Sequence, residues 1–250
     1  MRRWLCLIMC ALMAMVTRPV SAGVETEQVI LLHGLCRTSR SMEPMARALT
    51  QAGYQVRNID YPSRTATVAQ LAESVIGPVV AAGQHNGVTQ IHFVTHSLGG
   101  ILVRYYLAHH AITNLGRVVM LGPPNQGSEV VDMLRGWWLF KKLNGPAGNE
   151  LGTDPGSIVN QLGSANFCVG IIAGNRSINW INSLLIPGCD DGKVSVEKTK
   201  LAGMTDWIEL ATSHPFIMRN STAMAQTISF LRTGKFDHTL TAGQMRFSSA

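Results

Sequence analysis

Three side chains far apart in the chain, Ser97, Asp191 and His214, have the types and the order needed for nucleophilic acyl transfer. Ser97 carries the sharpest signal. The run Ile91-His92-Phe93-Val94-Thr95-His96-Ser97-Leu98-Gly99-Gly100 reads as a β-branched and aromatic strand that ends at Ser97, with a helix beginning directly behind it. A turn of that kind lifts a hydroxyl above a sheet, and the helix N-terminus beneath it favours the negative charge that builds during acyl transfer. Gly99 and Gly100 leave room for packing behind the turn, whereas Thr95 stands where the G-x-S-x-G pattern has its first glycine. A serine that merely caps a helix is the competing, purely structural account.

His33-Gly34-Leu35 follows the first strand directly, the place from which a loop supplies one oxyanion-hole amide. The donors expected are the backbone N–H groups of Leu35 and Leu98, which leaves both side chains free to be apolar; an ordinary turn is the alternative. In the chain order serine, acid, histidine, only His214 and His238 lie downstream of the candidate acids. His214 comes three residues after the last strand, while His238 sits in a polar tail and is expected to be solvated. The acid falls in Pro187-Gly188-Cys189-Asp190-Asp191-Gly192-Lys193-Val194, with Asp191 preferred; Asp190, a simple turn or a weak calcium site remain open. Its task is to hold the imidazole in the right tautomer and to stabilise imidazolium. His33, His92, His96, His109 and His110 precede the acid or lie on other elements, and they form no convincing metal cluster.

Such groups need a scaffold, and the pattern from Val24 onward supplies one: short apolar runs alternating with helical stretches, the mark of a parallel sheet covered by helices. Strands are expected at 28–32, 55–61, 90–95, 117–121, 167–173 and 207–211. Helices are expected from a Ser41 cap to Gly53, over 68–80 with a kink at Gly77-Pro78, over 98–110 and over 218–231. The interval Gly136 to Gly163, with six glycines, two prolines and the cluster Trp137-Trp138-Leu139-Phe140, is too long for an ordinary connection. It is expected to be a lid-like insertion, with Trp137 and Trp138 as substrate-binding residues, or else the buried end of a helix. Residues 235–250 read as a loosely held tail.

Arg2 and Arg3, the apolar run Trp4 to Val16, and Val20-Ser21-Ala22 together read as a signal peptide over 1–22, ahead of a domain over 23–234. Its removal would lower the formal net charge from +6 to +3 and leave no basic run that argues for nucleic acid. The mature chain is then an exported, periplasmic or secreted protein. Of five cysteines, Cys36, Cys168 and Cys189 would remain, an odd number that predicts one bridge and one free thiol in an oxidising compartment. Cys168 and Cys189 are the pair expected.

The segments Leu31-Leu32-His33-Gly34-Leu35, Val94-Thr95-His96-Ser97-Leu98-Gly99-Gly100, Gly122-Pro123-Pro124-Asn125-Gln126-Gly127-Ser128 and Asp191-Gly192-Lys193-Val194-Ser195-Val196 resemble those of bacterial lipases and esterases of the α/β-hydrolase superfamily. The resemblance runs from about Glu27 to Gly234. It implies an α/β-hydrolase fold that begins at the family's third strand, and hydrolysis of carboxylic esters, often of lipids, without an organic cofactor. Some members bind calcium, but no residue set here matches such a site. The resemblance and the residues together predict an ester hydrolase acting through an acyl-enzyme on a small-molecule or lipid ester, with transient contact to a lipid surface. A thioesterase or amidase with the same triad, and a non-catalytic binding module on a hydrolase scaffold, are the rival expectations.

Overall fold

The computed structural model describes residues 26–177, 186 and 188–239; the segment read as a signal peptide lies outside them. Six strands, β1 (Glu27–Leu32), β2 (Gln55–Ile59), β3 (Gln90–His96), β4 (Leu115–Leu121), β5 (Val169–Gly174) and β6 (Asp206–Leu210), form one sheet in the order β2-β1-β3-β4-β5-β6. Every neighbouring pair is parallel. A parallel sheet is covered on both faces, so its central strands are apolar along their length instead of alternating. Val29 to Leu32 accordingly are all fully buried.

The two-residue side-chain period divides that apolar run between two cores. Ile30, Leu32, Phe93, Val118 and Met120 pack beneath α2 (Val68–His85) and α3 (Leu98–His109). Val29, Leu31, Val94, Val119 and Leu121 pack beneath α1 (Glu43–Gln51) and the C-terminal helix (Ser221–Thr233). Consecutive connections leave β1 outward to β2 and then cross back to β3. The point where the strand order reverses therefore lies between the C-terminal ends of β1 and β3, where open α/β sheets place their ligands. Ser97 and the His33–Leu35 loop both emerge there.

Several local expectations shift. Helix α2 runs past its expected end at residue 80 to His85, with Leu71, Val75, Ile76 and Val80 in the core beneath it. Its start is fixed by a reciprocal cap between Thr67 and Gln70. Ser41 caps no α-helix; it lies in a 3-10 turn, Ser39–Met42, and α1 begins at Glu43. The C-terminal helix begins at Ser221, where the Asn220 side chain accepts from the Ala223 N–H at 3.0 Å. After Gly234 the chain is fastened at its start: Phe236 is buried on Phe230, and its N–H donates to Asp206 Oδ2 at 2.8 Å. Residues 240–250 lie outside the described part.

The predicted Cys168–Cys189 bridge is absent, and Cys36, Cys168 and Cys189 are all free thiols. Cys168 precedes the first residue of β5, whereas Cys189 lies beside the acid turn over that strand's far end. A six-residue strand is roughly 20 Å long, too far for Cα atoms that must come within about 7 Å. Among the described residues no helix is long and apolar enough to cross a membrane.

Candidate active site

Ser97 occupies a backbone conformation that residues with a Cβ avoid, φ 52° and ψ −119°, at the junction of β3 and α3. The turn closes only because its surroundings lack side chains. A Cβ on Gly99 would lie 2.7 Å from the Leu32 carbonyl, and one on Gly34 would lie 2.6 Å from His96 Nδ1 and 3.2 Å from Ser97 Cβ. Thr95, the departure from the glycine pattern, is fully buried with its hydroxyl 3.5 Å from the Val119 carbonyl. Gly100 makes the space for it, since a Cβ there would come 3.2 Å from Thr95 Oγ1.

The loop after β1 is held from the end of β2. The Tyr61 N–H donates to His33 Nε2 at 3.3 Å, so the His33 proton resides on Nδ1, 2.9 Å from the Gly34 carbonyl. The Tyr61 hydroxyl donates to the His33 carbonyl at 2.5 Å, and the two rings stack at 4.0 Å. Burial pushes the His33 pKa below its usual value, which keeps the ring neutral in this role despite Asp60 Oδ1 at 3.5 Å. Beyond it the Cys36 N–H donates to Ser63 Oγ and the Arg37 N–H to the Gly34 carbonyl. Among the described residues no protein acceptor meets the amides of Leu35 or Leu98. The Leu98 amide is the first of α3, and Leu35 lines the same cavity as Ser97.

Hydrogen bonds set the two candidate acids apart. Asp191 is fully buried, and its Oδ2 lies 2.7 Å from His214 Nδ1. Its Oδ1 accepts from the N–H groups of Lys193 and Val194 at 3.0 and 2.9 Å, and its carbonyl accepts from the His214 N–H at 2.9 Å. Asp190 instead turns into its own loop, where Oδ1 accepts from the Gly192 N–H at 2.6 Å. Gly122, after β4, makes way for the pair: φ is 54°, and a Cβ would lie 3.0 Å from Asp191 Oδ2 and 3.2 Å from His214 Nδ1. The structure thus brings Asp191 against His214, and places His214 and Ser97 on the wall of one cavity.

That cavity is about 310 Å³, with an apolar wall formed by Val130, Val131, Phe140 and Leu151. The interval 136–163 contributes α4 (Trp138–Asn149), which breaks at Gly145 (φ 67°) just before Pro146. Any Cβ at Gly145 would collide with the Arg64 carbonyl. Phe140 turns inward to the cavity, but Trp137 and Trp138 do not line it. They stand 68% and 73% exposed on the outer surface, with Leu139 and Leu143 beside them. His238 pairs with Asp206 on the surface.

Two contributors escaped the sequence reading. His96 is buried with its ring 4.7 Å from that of His214, and its Nε2–H donates to the His214 carbonyl at 3.0 Å. Burial first, then the neighbouring His214 and Arg37 charges, holds its pKa well below the usual histidine range, so it braces the His214 loop as a neutral ring. Its signal was adjacency to Ser97. Arg104 is buried on α3 and, among the described residues, has no ion-pair partner; it donates to the carbonyls of Asn125, Val159 and Gly163 and to Asn125 Oδ1. Burial draws its pKa down to about 10. Asn125 passes the connection on to the Thr199 carbonyl at 2.8 Å. An arginine amid the apolar run of α3 was its only trace in sequence. Among the described residues, no three His, Cys, Asp or Glu side chains are grouped to hold a metal ion.

The sequence profile of the alpha/beta hydrolase fold family matches residues 28–172. No curated protein matches the chain significantly by sequence. The mature form of the Bacillus licheniformis lipase BlEst2 superposes with a TM-score of 0.69 at 20% identity, covering 83% of this chain and 93% of that one. Phospholipase PlaB from Legionella pneumophila, in complex with thio-NAD, gives 0.63 at 19% identity over 82% of this chain and 56% of its own. Aspergillus fumigatus lipase B gives 0.60 at 15% identity, covering 86% and 55%. The chain spans little more than half the length of the latter two. At these identities the likeness is one of fold.

Proposed function

The chain belongs to the α/β hydrolase fold family, and from that premise we propose that it is a serine hydrolase of carboxylic esters, with lipid esters as its substrates. The observation that carries this reading is the buried Asp191–His214 pair at 2.7 Å, opening onto the cavity that also holds the strained Ser97. Asp191 fixes the proton on His214 Nδ1, which leaves Nε2 as the base. Nε2 takes the proton of Ser97 Oγ as that oxygen attacks the ester carbonyl. The Leu35 and Leu98 amides receive the oxyanion, and the imidazolium returns its proton to the departing alcohol. Water then cleaves the acyl-enzyme by the same route.

The apolar wall of Val130, Val131, Phe140 and Leu151 suits an acyl chain. Trp137 and Trp138, exposed on the insertion, suit transient contact with a lipid surface, because tryptophan tolerates a half-wet boundary. Export through the segment 1–22 accords with a substrate met outside the cytoplasm. Labelling with a fluorophosphonate tests the reading. The wild type should label at Ser97 and turn over 4-nitrophenyl butyrate, while Ser97→Ala should neither label nor retain more than about a thousandth of kcat. Unlabelled wild-type protein, or an active Ser97→Ala, would refute it, and a panel of esters, thioesters and amides ranks the acyl bond.

A further inference from the structure

Two cations stand at the cavity that holds Ser97 and His214: Arg37, from the loop after β1, and Lys193, from the acid turn. Both sit on backbone that the reaction centre itself fixes. The Arg37 N–H donates to the Gly34 carbonyl at 3.2 Å, two residues from the Leu35 amide. The Lys193 N–H donates to Asp191 Oδ1 at 3.0 Å, and its carbonyl accepts from Ser128 Oγ at 2.9 Å. Both side chains are exposed, and among the described residues neither is in an ion pair. No carboxylate among those residues lines the cavity. Arg37 also opens onto a second hollow with Arg40 and Arg219, beside Phe216 of the His214 loop. Its charge is felt at the centre, where it adds to the forces that keep His96 neutral.

A chain laid on the apolar wall of Val130, Val131, Phe140 and Leu151 leaves the other end of the ester with the cations. A guanidinium without a protein partner matches a tetrahedral, multiply charged acceptor, since its planar fork binds two phosphate oxygens at once. We propose that the mouth of this cavity is a subsite for a phosphate or phosphodiester on the alcohol side of the ester, held by Arg37 from the oxyanion loop and by Lys193 from the acid turn. The proposal rests on the hydrolase reading of Ser97 and names the class of substrate which that site prefers.

The test uses the full protein and monomeric substrates below their micelle concentration, so that no charged surface contributes. The readout is the ratio of kcat/KM for a dihexanoyl glycerophosphate to that for dihexanoylglycerol, measured in 20 mM salt. The ratio should exceed about ten in the wild type. It should fall about threefold in Arg37→Gln and in Lys193→Gln, about tenfold in the double variant, and it should shrink in 0.5 M salt. Arg37→Lys should recover part of the loss. Inhibition of dihexanoylglycerol hydrolysis by inorganic phosphate, lost in the double variant, would assign recognition to the phosphate alone; a ratio above ten without such inhibition would assign it to the tethered headgroup. Fluorophosphonate labelling and thermal melting establish that each variant keeps its centre. A wild-type ratio near one with brisk hydrolysis of the neutral ester overturns the subsite and leaves the hydrolase standing. A preference that survives in the double variant, or that appears only with vesicles, also overturns it. If no ester is hydrolysed and Ser97 does not label, both readings fall.

Discussion

Asp191→Asn should cost far more activity than its small change in shape implies, and the hydrogen bonds say why. Asp191 Oδ1 accepts two backbone N–H groups, from Lys193 and Val194, so an asparagine there must place its carbonyl oxygen at that position. Its NH₂ group then occupies the Oδ2 position, 2.7 Å from His214 Nδ1. Two donors cannot face each other, so the imidazole proton moves to Nε2, and the nitrogen meant to accept the Ser97 proton is blocked. Loss of the correct tautomer and of the charge that stabilises imidazolium predicts a fall in kcat of roughly 10³- to 10⁴-fold. The fold should lose only about 1–2 kcal/mol, because shape and most hydrogen bonds persist. Asp190→Asn is the control: its oxygen can still accept from the Gly192 N–H, and kcat should stay within about threefold of wild type. Steady-state hydrolysis of 4-nitrophenyl butyrate, with urea titration of each variant, measures both effects. Equal losses in the two variants, or more than a tenth of the activity left in Asp191→Asn, would refute the assignment of the acid and the tautomer argument with it.

Gly122→Ala should reduce kcat at least tenfold and cost about 1–2 kcal/mol, since it places a Cβ 3.0 Å from Asp191 Oδ2 at a φ of 54°; an unchanged kcat would show that the acid–imidazole pair has slack. Replacing Trp137 and Trp138 with serine should weaken hydrolysis of emulsified long-chain esters far more than that of a soluble short-chain ester. The melting temperature should barely move, because both rings are largely exposed; equal losses on both substrates would remove the surface-contact role. His92 is buried, and burial, then the Arg117 charge, lowers its pKa to about 4 from an unfolded value near 6.5. The unfolded chain therefore binds the extra proton first, so this stability is complete above pH 6.5 and falls as pH drops toward 4, by on the order of 3 kcal/mol. His92→Gln can still accept from the Arg117 N–H and should flatten that part of the pH–stability curve; an undiminished slope would place the effect elsewhere.

Where sequence was most informative, one physical rule acted alone. The strands at 28–32, 90–95 and 117–121 were legible because a sheet buried on both faces demands largely apolar runs, and little else in a short segment competes with that. Ser97 was legible because a strand, a small turn and a helix meet at it within ten residues. Failures came where distant contacts outvoted local preference. Helix α2 was expected to end at residue 80, yet it reaches His85, with Val80 in the core and Gly83 close against Ile91. Cys168 and Cys189 look like a pair by count, and only the length of β5 parts them. Arg104 carries no motif of its own and His96 only its place beside Ser97, since what they do depends on carbonyls and rings supplied by segments far away in sequence.

The glycines explain why the site is partly visible in sequence at all. Bringing Ser97, the Leu35 amide and the Asp191–His214 pair together requires three backbone segments to approach their neighbours more closely than a Cβ permits. Gly34 faces His96 and Ser97, Gly99 faces the Leu32 carbonyl, and Gly122 faces the acid and the imidazole. Each of these positions must be glycine for geometric reasons local enough to leave a motif: His-Gly after β1, Ser-Leu-Gly-Gly after β3, and Gly-Pro-Pro after β4. The cations Arg37 and Lys193 and the apolar wall face the open cavity instead, where many side chains would fit. The residues proposed to set the reaction are therefore written in patterns, while those proposed to choose the substrate emerge only when the loops are seen side by side.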